Sequence, residues 1–221
     1  MILAYETSTD VCSVAFQNSE GEIFEKRIQG RSVHSDHLFL FTQELMGEHS
    51  FSINQIKTVL VSIGPGSYTG LRIAASAIKG IFFQSTVEVY AVNTLAGFTG
   101  FFLDSMVGTV HSIIDARRIH VYHQQFEVGE SIKPITKLNI LEISAFEEML
   151  QAGQKVIGTG LNRINPRKLN GIELFDSESI SAENLIKLYT QDSESVFIKQ
   201  TTLSNLDPIY ITCNQVNNSS V

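Results

Sequence analysis

Two short turns hold the residue types that phosphate and metal chemistry needs. Glu6-Thr7-Ser8-Thr9-Asp10 sits between two apolar runs near the start, and Asp115-Ala116-Arg117-Arg118 sits between two more in the second half. Carboxylates beside hydroxyls and backbone amides suit a Mg²⁺–phosphate contact, and suit ordinary Asx and Ser/Thr turn chemistry equally well. If the turns face each other, Glu6 and Asp115 flank one cleft, with Thr7 and Ser8 beside it. A third candidate is Gly64-Pro65-Gly66-Ser67-Tyr68-Thr69-Gly70, where amides could meet a phosphate at a helix start. No Gly-Lys-Ser/Thr follows, the glycine spacing misses the dinucleotide fingerprint by one residue, and Pro65 removes a donor. Gly64 and Gly66 therefore read as a phosphate loop or as a tight turn allowing close backbone approach, with Ser67 or Thr69 capping the helix. His34 and His37 are spaced i, i+3, but no third His or Cys ligand accompanies them, so no metal site is expected. His111 and His123 could meet across a hairpin, where packing is the usual role. Gly-x-Ser-x-Gly does not occur, which disfavours a serine hydrolase.

The elements that must position these turns repeat. Apolar alternation predicts strands over 2–5, 11–16 and 22–28, with a turn at 18–21, then a helix over 35–48. A buried strand (58–63), a helix (71–83), a strand (87–92) and a helical stretch (95–103) follow. The second half predicts strands over 109–114, 119–126 and within 132–138. A helix over 144–151, with Ser144 as N-cap and Glu147 in a capping box, leads to a strand at 155–158, and a late helix covers 184–189. The order β-β-β-α-β thus occurs twice. It describes an α/β protein of two ribonuclease-H-like halves, the actin/sugar-kinase (ASKHA) architecture, with the second half reduced. The expected domains are 1–105, completed or not by a C-terminal segment, and a smaller 106–213, followed by a flexible tail at 214–221.

Both helices of the first half are too apolar for one buried stripe. On the first, His34, Leu38, Phe41 and Leu45 form one stripe, and Phe39, Thr42 and Met46 form a second beside it. On the next, only Arg72, Ser76 and Lys79, with Phe83, share a narrow polar arc. Leu71, Ala74, Ala75 and Ile78 lie elsewhere, and the small residues permit close helix approach. Either both helices lie deep in their own fold, or one face builds an inter-subunit bundle. On the second reading the partner interface is Leu38, Phe39, Phe41, Thr42, Leu45, Met46, Leu71, Ala74, Ala75 and Ile78.

The chain has 221 residues, 43% hydrophobic and 18% charged, enough for a sizeable core. Its net charge is −7. Residues 1–105 carry six Lys/Arg against ten Asp/Glu, and the remainder ten against thirteen. Neither half looks able to hold a nucleic acid alone. Arg163, Arg167 and Lys168 form the densest positive patch, expected to be a solvated loop. Cys12 and Cys213 make no disulfide framework, and free thiols suit a reducing cytoplasm. No membrane span and no signal peptide are expected.

Five segments together resemble the TsaB (YeaZ) family: residues 2–9, His34-Ser35-Asp36-His37-Leu38, residues 62–74, Ile114-Asp115-Ala116-Arg117-Arg118 and Asp207-Pro208-Ile209-Tyr210. The match is dense over 1–125. Two departures stand out: Glu6 replaces the usual Asp of the first turn, and Ile211-Thr212 replaces the usual Leu-Arg after the tyrosine. The resemblance implies a non-catalytic scaffold that pairs with a TsaD-type catalytic subunit and a TsaE-type ATPase. Together these form N6-threonylcarbamoyladenosine at position 37 of tRNAs reading ANN codons. It implies packing of the first two helices on that partner or on a second copy, contact with tRNA only through the complex, and no cofactor of its own, any ATP, ADP or Mg belonging to the complex. The rival expectation is a stand-alone Mg-nucleotide kinase or ATPase using Glu6 and Asp115.

Overall fold

The computed structural model describes residues 1–105 and 108–211. Cys213, Thr212 and the expected tail at 214–221 lie outside them. The first half opens with β1 (Ile2–Glu6), β2 (Val11–Gln17) and β3 (Ile23–Gln29), an antiparallel meander. Then come α1 (His34–Glu48), β4 (Thr58–Ser62), α2 (Tyr68–Ile81), β5 (Glu88–Val92) and α3 (Thr94–Thr99). The second half runs β6 (Gly108–Asp115), β7 (His120–Val128), β8 (Ile132–Pro134), β9 (Asn139–Glu142), α4 (Ile143–Met149), β10 (Lys155–Gly158) and β11 (Glu173–Phe175). The chain then returns through α5 (Glu183–Gln191) and β12 (Ile198–Thr201), and β12 pairs antiparallel with β5 in the first sheet.

The sheet orders are β12-β5-β4-β1-β2-β3 and β11-β10-β6-β7-β8, with β9 on β7. Without β12, and with β8 and β9 counted as one interrupted third strand, each reads fifth, fourth, first, second, third within its half. Three antiparallel strands feed two parallel ones both times, which makes this the two-halved architecture expected from the element order.

Alternation along the strands builds the layers. Leu3, Tyr5, Val14, Phe16, Val59 and Val61 face outward onto α1 and α2, giving a core with Leu38, Leu45, Ala74 and Ile78. Ala4, Ala15 and Leu60 face inward with Val110, Ile114 and Phe126 of the second sheet, around α3 and α5. Ile113, Val121 and Val156 face the far side, against Phe146 of α4. Each large side chain so buried contributes roughly 1.5–3 kcal/mol.

Two helix starts need correction, and two expected stretches are met in a sharper form. The strand sought within 132–138 stops at Pro134, which has no N–H; the amides of Ile135 and Thr136 both reach the Gln125 carbonyl, and pairing resumes as β9. Helix α4 starts one residue early, with Glu142 as N-cap and no side-chain cap bond. Ser144 donates to Glu142 at 3.4 Å, and Glu147 accepts from the Asn165 amide rather than closing a box. Helix α2 begins at Tyr68, capped by Ser67, whose Oγ accepts from the Gly70 amide at 3.2 Å. The helical stretch after β5 ends as a tight 3₁₀ turn over Gly100–Phe102.

Candidate functional site

The Glu6 end of the first turn is sealed, while Asp10 at its other end is exposed. Glu6 is fully buried and lies outside the residues lining the cleft between the halves. One carboxylate oxygen accepts from the Ser8 amide at 2.7 Å and the Ser8 hydroxyl at 2.5 Å, and the other accepts from the Ser62 hydroxyl. Burial pushes its pKa up, against the pull of the Ser62 and Ser8 bonds. Thr7 donates to the Gly70 carbonyl at 2.9 Å, and the Ser67 amide donates to the Ser8 carbonyl at 2.6 Å. A Cβ on Gly66 would stand 2.4 Å from that same Ser8 oxygen, and one on Gly70 2.0 Å from the Thr7 oxygen. These glycines let the loop before α2 press onto the turn after β1. Gly64 performs a similar service: its φ is 125°, and a Cβ there would stand 2.4 Å from the Ile209 carbonyl. The expected pairing of Glu6 with Asp115 across a cleft is therefore corrected. The Glu6 oxygens are committed inward, and this arrangement does not fit a Mg-nucleotide.

The second-half turn is open. A cleft of about 1440 Å³ separates the halves, with Ser8, Thr9, Asp10, Arg31 and Ser67 on one wall and Asp115, Arg117, Thr159 and Asp176 on the other. Asp115 accepts from the Arg117 amide at 2.7 Å and pairs with Arg163, while its own amide donates to Thr159 at 3.0 Å. Arg163 is thus a structural cation, not the solvated one expected, and Lys168 pairs with Glu148 at 2.7 Å. Arg117 and Arg118 both have left-handed backbone, φ 67° and 50°. That costs non-glycine residues roughly 1–2 kcal/mol each.

The histidines serve packing. His34 bonds the Val11 carbonyl at 3.2 Å, and burial lowers its pKa; His37 bonds the Val33 carbonyl at 3.0 Å and lies against Phe41. His111 and His123 do meet, at 2.9 Å between ring nitrogens, with Phe146 across both rings. Burial lowers both, His123 to about 3. Among the described residues, no group of three or more His, Cys, Asp or Glu is placed to hold a metal.

The two first-half helices divide their apolar surface. Leu38, Phe41, Thr42 and Leu45 of α1, and Leu71, Ala74, Ala75 and Ile78 of α2, are buried within this chain. As direct partner contacts these eight are corrected: their phase points them at the first sheet and at each other. Phe39 is 47% exposed and Met46 half-buried. Between the helices runs a groove of about 460 Å³ lined by Ser35, Phe39, Tyr68, Thr69, Arg72, Ile73, Ser76 and Ala77. Tyr68 is 53% exposed; Arg72 stacks over it at 4.1 Å and donates to the Tyr210 hydroxyl at 2.9 Å. Sequence reasoning missed Tyr68 and Tyr210 here, because the helix start was set three residues late. Ser67, already a candidate cap, was the signal that could have placed it.

Comparison with known proteins gives a consistent result. The family model described as TsaD, tRNA N6-adenosine threonylcarbamoyltransferase, matches residues 29–184. The tRNA threonylcarbamoyladenosine biosynthesis protein TsaB of Buchnera aphidicola subsp. Baizongia pistaciae is 26% identical over 218 residues, covering 95% of this chain and 97% of that one. The protein of the same description in Escherichia coli K12 is 26% identical over 225 residues, covering 95% and 94%. The structure of YeaZ from Pseudomonas aeruginosa superposes with a TM-score of 0.76 at 22% identity, covering 95% of this chain and 99% of that one, a likeness of fold.

Proposed function

We propose, from the premise that the chain belongs to the TsaB (YeaZ) family of tRNA threonylcarbamoyladenosine biosynthesis proteins, that it acts as a non-catalytic subunit holding a TsaD-type catalytic partner through the exposed seam of α1 and α2. Involvement in N6-threonylcarbamoyladenosine modification of tRNA comes with the family. The pairing, the role of a TsaE-type ATPase, a homodimer when the chain is alone, a cytoplasmic setting and contact with tRNA through the complex are this reading's own claims. Among the described residues, no helix is long and apolar enough to cross a membrane.

One observation carries the reading. The groove between α1 and α2 exposes Phe39 and Tyr68, although the helices already bury a full core on their other faces. Apolar surface of this kind, rimmed by Ser35, Arg72 and Ser76, is the composition of an interface core with a polar rim. The rival kinase reading needs Glu6 in the cleft, and Glu6 is enclosed.

Size-exclusion chromatography with the TsaD-type partner tests the proposal. Phe39→Asp and Ser76→Arg each place a charge in the exposed seam and should abolish co-elution while leaving the melting temperature nearly unchanged. Co-elution that survives both substitutions would sink it.

A further inference from the structure

We propose that the tip of the β6–β7 hairpin contacts RNA phosphates, with Arg117 and Arg118 as its cations and Arg31 as a third from the opposite wall of the cleft. The inference rests on the reading that this chain sits beside a tRNA-modifying subunit.

Arginines that hold this fold together have acceptors: Arg27 donates to the Ile180 and Ser177 carbonyls, Arg72 to Tyr210 and Arg163 to Asp115. The guanidinium groups of Arg31, Arg117 and Arg118 are exposed and have no acceptor among the described residues. Nearby carboxylates are committed to their own walls. Asp115 takes Arg163 and the Arg117 amide, Asp10 takes the Gln29 side chain at 3.0 Å, and Asp176 takes the Glu178 amide at 3.0 Å. Arg31 and Arg117 reach the same cleft from different halves.

The backbone of the turn points the same way. Arg117 and Arg118 occupy consecutive left-handed positions that Gly or Asn would take with less strain. Among the described residues, no contact of their side chains offsets that strain. The turn is held in shape from behind by Asp115, Thr159 and Arg163. It presents two forked cations outward, and the guanidinium plane matches phosphate oxygens two at a time.

A nucleic-acid backbone suits this wall better than a protein surface. The same cleft offers the Ser32 and Thr159 hydroxyls, with Gly158 and Gly160, whereas the Ser8 hydroxyl is taken by Glu6. Hydroxyls, arginines and bare backbone are phosphate-contacting groups, whereas a protein interface centres on aromatic and aliphatic anchors. With a net charge of −7 the chain does not draw RNA from a distance. The contact is local and adds to affinity that the partner supplies.

Filter binding of unmodified tRNA, to the chain alone and with its TsaD-type partner, tests this across roughly 50–200 mM salt. The Arg117→Ala, Arg118→Ala double variant should bind about tenfold more weakly, with a salt slope shallower by about 1–2. A second variant, Arg117→Asn with Arg118→Gly, should lose tRNA affinity equally yet melt about 2–4 °C higher, because the turn relaxes. Both should keep their elution with the partner. Unchanged affinity and slope would overturn the proposal. So would a loss of partner association, which would make the arginines a protein contact, or an absence of RNA binding with and without the partner. If the wild-type chain never associates with the partner, the scaffold reading fails and takes this inference with it, whereas association with no change of affinity or slope in the variants overturns this inference alone.

Discussion

In the first half, the turn after β1 is roofed by the loop before α2, whose glycines press on its carbonyl oxygens, and its Glu6 is enclosed. In the second half, the turn after β6 stands at the same point of the same strand order, yet it opens to solvent, carries strained arginines and is braced only from behind. The topology repeats, but the chemistry does not. A pseudo-symmetric fold fixes where a turn falls; whether it can receive a ligand depends on residues brought from far along the chain.

Glycine substitution gives the sharpest way to break the comparison. Gly70→Ala puts a Cβ 2.0 Å from the Thr7 carbonyl and should cost roughly 3 kcal/mol or more, read as a fall in Tm. Gly160→Ala behind the second turn meets the Asp115 Cβ only at 3.2 Å, at a φ of +84°, and should cost about 1–2 kcal/mol. Equal losses would mean both turns are equally packed. The two faces of α1 divide in the same way. Leu38→Asp buries a charge in the first-half core and should cost roughly 3–5 kcal/mol, whereas Phe39→Asp should fold and melt like the parent.

Acidification should separate the halves more gently. His111 and His123 are held neutral by burial, His123 down to about 3. The stability they contribute is whole above about pH 6.5 and drains away as pH falls toward 3. Glu6 runs the other way. Its raised pKa favours the fold at low pH, and that contribution is lost as pH rises from the ordinary glutamate value through the folded one. Hydrogen exchange should therefore show β6 and β7 losing protection on acidification before β1 and β4 do. In Glu6→Gln the dependence of Tm on pH should flatten above the ordinary glutamate range. Asp115→Ala should have the smallest effect, about 1 kcal/mol. It loses a half-exposed pair with Arg163 and the bond that holds the Arg117 backbone.

Period-2 alternation made β1, β2, β4, β6, β7 and β10 legible, because each buries one or both faces. The edge strands β11 and β12 were not: Ile198-Lys199-Gln200-Thr201 has no apolar rhythm, since Lys199 and Gln200 face solvent. Glu6 could be read as a candidate ligand but not as a sealed one. The difference lies in Ser62 and Gly66, some sixty positions away. The apolar excess of α1 and α2 was visible, but not which stripe meets the sheet, because both stripes of α1 hold phenylalanine and both faces of α2 hold small residues. Phase against a sheet is a tertiary fact, and it moved eight of ten expected contact residues inside.

The first sheet closes its far edge with β12, and the segment after it is pinned where the Ile209 amide meets the Ile63 carbonyl at 2.7 Å and Lys79 meets Asp207 at 3.1 Å. On a ribosome, strands β6 through β11 emerge and can associate while the earlier-made sheet still lacks its border. The half translated first is thus the half finished last, and a nascent chain halted before residue 198 would display an unpaired β5 edge open to stray strands.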